Sequence, residues 1–257
     1  MADIYATGEI VADDDKWFYD WMEISCICPS DVKTAVNSAD EDVTLYIDSP
    51  GGDVSAASTI RSILLSCGKK TKAVIIGMAA SAATIIMTGC ETVEAYNTAI
   101  LMIHKASSYV GGGNADDMQK AKNMLDAVDS SIANAYVEKT GKSKNEILKL
   151  MGKTTWMDVD KALKDGFIDK IIDGQPDEEL KATASFKGFN ISKGIKEKVI
   201  AFKNQGIKPF NDGASVPQKV DTNAIAELVI KRLEDKQKQA ELNSLKEFSV
   251  RMEGKYD

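Results

Sequence analysis

The chain of 257 residues contains one histidine, His104, so any proton transfer through an imidazole has a single candidate. His104 directly follows the apolar run Ile100 to Ile103, which places it where a strand gives way to a loop. Upstream, Ser81 lies in Gly77-Met78-Ala79-Ala80-Ser81-Ala82-Ala83, where a strand-like run ends and a helix of small residues begins. A hydroxyl at such a junction sits close to unpaired helix N–H groups and the positive end of the helix dipole. The flanking alanines let the backbone turn sharply and leave room for a substrate, the logic of a nucleophile elbow without its G-x-S-x-G pattern. The plainer alternative is a serine that caps a closely packed helix. The segment Ser49-Pro50-Gly51-Gly52-Asp53 follows another strand-like run, and its paired glycines allow backbone N–H groups to face a cavity, as an oxyanion site requires. An ordinary strand-to-helix turn would read the same way. Together, hydroxyl, imidazole and outward amides would perform acyl transfer.

These segments need a framework that brings them together. Thr44 to Asp48 reads as a buried strand ended by Ser49 to Gly52, and Ile60, Ile63 and Leu64 fall at helical spacing within about 54–66. Lys72 to Gly77 is a second strand and Ala79 to Gly89 a second helix, followed by short strands at Thr92–Tyr96 and Ala99–Ile103. A long helix over about 114–139 carries Met118, Leu125, Val128, Ile132 and Ala135 on one stripe. Helices at about 143–151 and 158–165 follow, with Asp158 as N-cap of the second and Gly166 at its end. This alternation predicts an α/β domain over 1–172 with parallel pairing and right-handed crossovers. Beyond it, 173–221 reads as a polar linker containing Pro176, Pro209 and Pro217, and 222–257 as a helical tail. Apolar residues stand at both ends of that tail (Ile225, Leu228 and Val229; Leu242, Leu245 and Phe248), but its middle, Glu234 to Gln239, is polar and fails a sustained heptad.

Composition excludes several classes. With 32 Lys and Arg against 39 Asp and Glu, the net charge of −7 leaves no basic footprint for nucleic acid or anionic lipid. The most apolar stretch, Ala73 to Met87, is too short to cross a bilayer and is interrupted by Gly77 and Ser81. Residues from Met1 onward lack the basic and apolar regions of a secretory signal, so a cytoplasmic location is expected. Cys26, Cys28, Cys67 and Cys90 form no C-x-x-C pair, and beside a single histidine they predict neither a zinc site nor disulfides. Cys67 and Cys90 are expected as small buried thiols. The glycines of Tyr109 to Gly113 are not followed by G-K-[ST], and Gly141-Lys142-Ser143 lacks the glycine a P-loop needs where Tyr136 stands. No nucleotide, metal or cofactor site is expected.

The ordered set is more specific than its parts. S-P-G-G after a strand, A-A-S-A-A around Ser81 and M-I-H ending at His104 resemble the ClpP family of serine peptidases. Trp17-Phe-Tyr-Asp-Trp21, Leu101-Met-Ile-His104, Ala135-Tyr-Val-Glu-Lys-Thr-Gly141 and Thr155-Trp-Met157 are similar to its phage branch, the ClpP-like head maturation (prohead) proteases. The likeness covers about residues 15–172 and does not reach the tail.

That resemblance implies a ClpP/crotonase-like fold of repeated β-β-α units, with a mainly helical or disordered C-terminal extension. It implies Ser81 as nucleophile, His104 as general base and the N–H groups of Gly52 and Ala82 as oxyanion hole. It assigns Gly111, Gly112 and Gly113 to a peptide groove leading into a handle helix by which two rings face each other. The family's acid falls at Thr154 here, and a threonine can orient an imidazole but cannot supply charge. Another acid, a weak dyad or a group supplied by assembly are the alternatives. Asp158 and Asp160 are nearby, but Asp158 reads as a helix cap. The implied activity is ATP-independent endopeptidase processing of phage scaffold, capsid or portal proteins, by heptameric rings stacked in pairs, in the host cytoplasm or the assembling prohead. The competing readings are an inactive ring-forming scaffold and a peptidase partnered with an AAA+ unfoldase; a crotonase-type acyl-CoA enzyme ranks last because it has no need of the Ser81/His104 pair.

Overall fold

The computed structural model describes residues 2–22, 24–108 and 112–174. Its elements begin with β1 (Ala2–Ile10), α1 (Asp13–Met22), β2 (Cys26–Ile27) and α2 (Pro29–Ser38). The middle of the chain forms β3 (Val43–Gly52), α3 (Val54–Ser66), β4 (Thr71–Ala80), α4 (Ala82–Met87), β5 (Thr92–Tyr96) and β6 (Ile100–Ile103). The long α5 (Ala115–Thr140) leads to α6 (Lys144–Gly152), β7 (Thr155–Asp158), α7 (Val159–Lys164) and β8 (Lys170–Ile172). Apart from Asp20–Met22, the described residues belong to one compact unit. Gly111, the polar linker beyond Gly174 and the helical tail expected over 222–257 lie outside the described residues.

The strands form one sheet in the order β2-β1-β3-β4-β5-β8, with β6 paired to β4 and β7 paired to β6. Every pairing is parallel except β6 with β7. The two central strands, β3 and β4, bury one continuous apolar face, with Leu45, Ile47, Ala73 and Ile75 wholly buried, while the opposite face of β3 carries Thr44, Tyr46 and Asp48. The expected α/β alternation is therefore present, and each predicted helix of the domain has its counterpart.

Two boundaries differ from expectation. β3 does not stop at Asp48 but continues through Gly52, because an irregularity against β1 between Thr7 and Glu9 accommodates Pro50, which has no N–H for the ladder. β4 likewise runs on to Ala80, so α4 starts at Ala82 rather than Ala79. The apolar stripe of α5 is buried only at its C-terminal end: Ile132 and Ala135 are covered, whereas Met118 is 40% exposed. The first two strands and helices carried no distinct sequence prediction. Asp158 does cap α7, accepting the Lys161 N–H at 2.8 Å.

β4 changes neighbour halfway along. Lys72–Ile75 pair with β5 and Met78–Ala80 with β6, and at that changeover β4 carries extra residues opposite Asp48 of β3. Asp48, 1% exposed, accepts the Met78 N–H on Oδ1 at 3.0 Å, while its Oδ2 has no hydrogen-bond partner. Gly77 leaves room for the carboxyl: a Cβ there would lie 2.7 Å from Asp48 Oδ1 and 3.3 Å from Oδ2.

Burial raises the Asp48 pKa, and the Met78 bond opposes the rise only in part. Its contribution to stability is thus complete below the unfolded carboxyl value of about 3.9 and is lost as pH climbs through the folded value. Asp48→Asn keeps the acceptor for Met78 and cannot ionise. Its melting temperature relative to wild type should rise as pH goes from about 4 to about 8; a difference that stays flat or shrinks contradicts a neutral Asp48.

Candidate active site

The end of β4 delivers Ser81. Its N–H donates to the Met102 carbonyl of β6 at 2.8 Å, and the backbone then turns abruptly, with φ 54° and ψ −123°. A non-glycine residue at positive φ is held at a cost of order 1–3 kcal/mol, and such positions cluster at working sites. The plainer alternative of an ordinary helix cap fails, because the Ser81 side chain makes no capping bond. Its Oγ lies 2.7 Å from Nε2 of His104, which leaves the end of β6. The β4–β6 pairing thus brings together two residues 23 positions apart.

The double-glycine turn meets the same elbow. Gly51 and Gly52 adopt φ 102° and 145°, where side chains are strained. A Cβ on Gly51 would lie 2.7 Å from the Ala80 carbonyl and 2.8 Å from the Ala82 nitrogen; one on Gly52 would lie 2.1 Å from the Ile10 carbonyl. Gly51 donates its N–H to Ser49 Oγ at 3.1 Å. Ala82 opens α4, so its N–H has no acceptor within the helix. Asp53 caps α3 behind the turn, accepting the Ala56 N–H at 2.6 Å. Ser81, His104, Ala82 and the Gly51–Gly52 turn therefore share one place in the fold.

The imidazole is half-buried. Burial holds its pKa below the ordinary histidine value, and the negative charge of Asp129 pulls the other way. Near neutral pH it is uncharged, and in its Nδ1–H tautomer Nε2 can take the Ser81 proton. Thr154 is an exposed residue at the very end of the β6–β7 ladder, one step beyond Thr155, which pairs with Ile103. Its backbone is left-handed, φ 50°, unusual for a β-branched residue. Among the described residues its hydroxyl makes no hydrogen bond to His104. Gly112 and Gly113 are exposed and lead into the Asn114 cap of α5.

Asp129 was missed in the sequence. It is 5% exposed on α5, accepting the Ala106 N–H at 2.7 Å and lying 3.5 Å from Lys105 Nζ. Its signal was its place directly after Val128 and three before Ile132, a carboxylate on the inward face of an amphipathic helix. Tyr136, wholly buried on the same helix, shares a 2.6 Å hydrogen bond with Thr84, whose hydroxyl donates to the Ser81 carbonyl at 2.6 Å.

Elsewhere, Cys90 is buried and its thiol is pushed up to about 12 by desolvation, whereas Cys67 is only half-buried. A cavity of about 710 Å³ lined by Lys69, Lys70, Thr71, Cys90 and Lys139 lies at the start of β4, the opposite end of that strand from Ser81. Among the described residues, no group of three or more His, Cys, Asp or Glu is placed to hold a metal, and no helix is long and apolar enough to cross a membrane.

Comparison with known proteins gives the family and the fold. The sequence model of the Clp protease family matches residues 30–175. The chain is 29% identical over 147 residues to the ATP-dependent Clp protease proteolytic subunit 2 of Tropheryma whipplei, covering 56% of this chain and 81% of that protein. It is 32% identical over 136 residues to the ATP-dependent Clp protease proteolytic subunit of Streptococcus mutans, covering 52% of this chain and 69% of that one. The fold is similar to that of a ClpP1 N165D mutant from Listeria monocytogenes, with TM-score 0.56 and 21% identity over 70% of this chain and 95% of the other. The chain belongs to the Clp protease family, and its sheet is a ClpP-type α/β fold.

Gly51→Ala should disrupt the elbow, costing about 2 kcal/mol or more in denaturant unfolding and slowing capture of Ser81 by a fluorophosphonate. Unchanged unfolding together with unchanged capture contradicts the packing of the turn against Ser81.

Proposed function

We propose that this chain is a serine endopeptidase of phage or prophage head maturation, working without ATP on scaffold, capsid or portal proteins. The observation that carries the chemistry is the 2.7 Å contact between Ser81 Oγ and His104 Nε2 beside the double-glycine turn. Ser81 Oγ bonds to the peptide carbonyl carbon as its proton passes to Nε2, and the N–H groups of Gly52 and Ala82 bind the oxyanion. The tetrahedral adduct collapses, the C–N bond breaks, and His104 returns the proton to the leaving amine. Water, deprotonated by the same imidazole, then hydrolyses the acyl-serine ester.

The ordered motifs from Trp17 to Met157 support the phage assignment. Gly111, Gly112 and Gly113 suit an edge on which an extended peptide pairs with backbone. Met118 and Met124 stand 40% and 52% exposed on the first half of α5, apolar surface suited to self-association through that helix. Heptameric rings stacked in pairs, acting in the host cytoplasm or within the prohead, complete this reading. Residues 173–257 serve as an assembly or autoprocessed extension. A second reading, partnership with an AAA+ unfoldase, is favoured by the relatives in Tropheryma and Streptococcus, which are named as subunits of ATP-dependent proteases.

Digestion of casein or of a phage scaffold protein by the full chain tests this, with native mass measured alongside. Ser81→Ala or His104→Ala should lower turnover by ~10³-fold or more. The wild-type rate should rise with pH through a midpoint below about 6.5, because burial disfavours the charged imidazole. Activity that survives both substitutions contradicts the site; proteolysis that appears only with a co-purified hexameric ATPase favours the second reading.

A further inference from the structure

A serine–imidazole pair works best when a negative charge steadies the imidazolium formed as the serine loses its proton. Thr154, at the family's acid position, has none to give. Asp129 is a carboxylate buried to 5% exposure in the middle of α5, and burying such a charge costs several kcal/mol unless it is paired and hydrogen-bonded. Both of its partners directly follow His104 in the chain: the Ala106 N–H at 2.7 Å on Oδ1 and Lys105 Nζ at 3.5 Å on Oδ2. Two helical turns further on, Tyr136 reaches the Ser81 side of the site through Thr84. One helix thus holds the backbone behind the imidazole and the backbone behind the hydroxyl.

We propose that Asp129 is the positioning acid of this site, fixing the segment after His104 and stabilising its imidazolium in place of the residue at 154. The proposal rests on the peptidase reading for its chemistry and on α5 alone for its geometry. Among the described residues, Ser81 from the β4–α4 turn contacts the ring, Lys105 directly after it pairs with Asp129 from α5, and Thr154 stands just before β7. Among the described residues, Asp129 is the charge that opposes burial at the ring.

Because His104 is the only histidine, isotope-labelled histidine gives one imidazole signal in the full chain. Its titration should fall to lower pH in Asp129→Asn, which keeps an acceptor for Ala106 and removes the charge, and should stay at the wild-type position in Thr154→Ala. Fluorophosphonate capture of Ser81 should slow by roughly 10²- to 10⁴-fold in Asp129→Asn, with part of that restored by adding Thr154→Asp. Should Asp129→Asn not fold, Asp129→Glu keeps the charge but displaces it, and should still move the His104 titration. A titration untouched by the substitution at 129, or moved instead by Thr154→Ala, overturns the proposal while intact Ser81 capture keeps the peptidase reading. A titration moved by Asp129→Asn in a chain whose Ser81 never reacts upholds it and overturns that reading.

Discussion

On its edge away from β3, strand β4 has one neighbour along its first half and another along its second, and the site depends on how that exchange is made. The first half must pair with β5 to complete the sheet, while the second must lie beside β6 so that Ser81 emerges next to His104. Extra residues in β4 at the changeover would leave amides unpaired in a dry interior, a cost of about 1–3 kcal/mol each. Asp48 meets that need by accepting the Met78 N–H from the neighbouring strand. Its own second oxygen is left unpartnered, so the carboxyl is most stable when neutral. The same segment contains Gly77, where any side chain would displace the carboxyl.

Downstream of the changeover, strain among the described residues is concentrated at two non-glycine positions, Ser81 and Thr154, both at positive φ and both next to an end of β6 or its partner strands. At Ser81 the strain turns the hydroxyl away from capping its own helix and toward the imidazole. The Ser81 backbone is held by Met102 on one side and by Thr84 with Tyr136 on the other. At Thr154 the bent backbone persists although the residue is β-branched and uncharged. A left-handed conformation suits Asp or Asn better than Thr, so Thr154 holds a backbone shape unusual for its residue type. Electrostatic support for His104 comes instead from α5, where Asp129 opposes the larger effect of burial.

Much of this was readable in the residues. The helical spacing of Ile60, Ile63 and Leu64 and the apolar runs around Val74 and Leu101 gave α3, β4 and β6, because a parallel sheet buries continuous hydrophobic strands. The lone histidine and the small residues around Ser81 narrowed the chemistry to one pair. What spacing could not show was where β3 and β4 end. Pro50 and Gly51–Gly52 read as a terminator, yet the irregularity against β1 absorbs them within the strand. Nor could a local pattern reveal that Asp129 faces the segment after His104, since that contact depends on how α5 lies across the sheet. The acidic residue on an apolar face was the only trace. Met118, on the same predicted stripe, is exposed because the first half of α5 is not covered by the rest of the domain.

The most direct test of the account is a crystal structure of the full chain after reaction with a peptide boronate. The account predicts a covalent bond from boron to Ser81 Oγ, one boronate oxygen within hydrogen-bond distance of the Gly52 and Ala82 N–H groups, and the His104 imidazole beside the adduct. Boron attached to any other residue, or a boronate oxygen facing away from both amides, would contradict it.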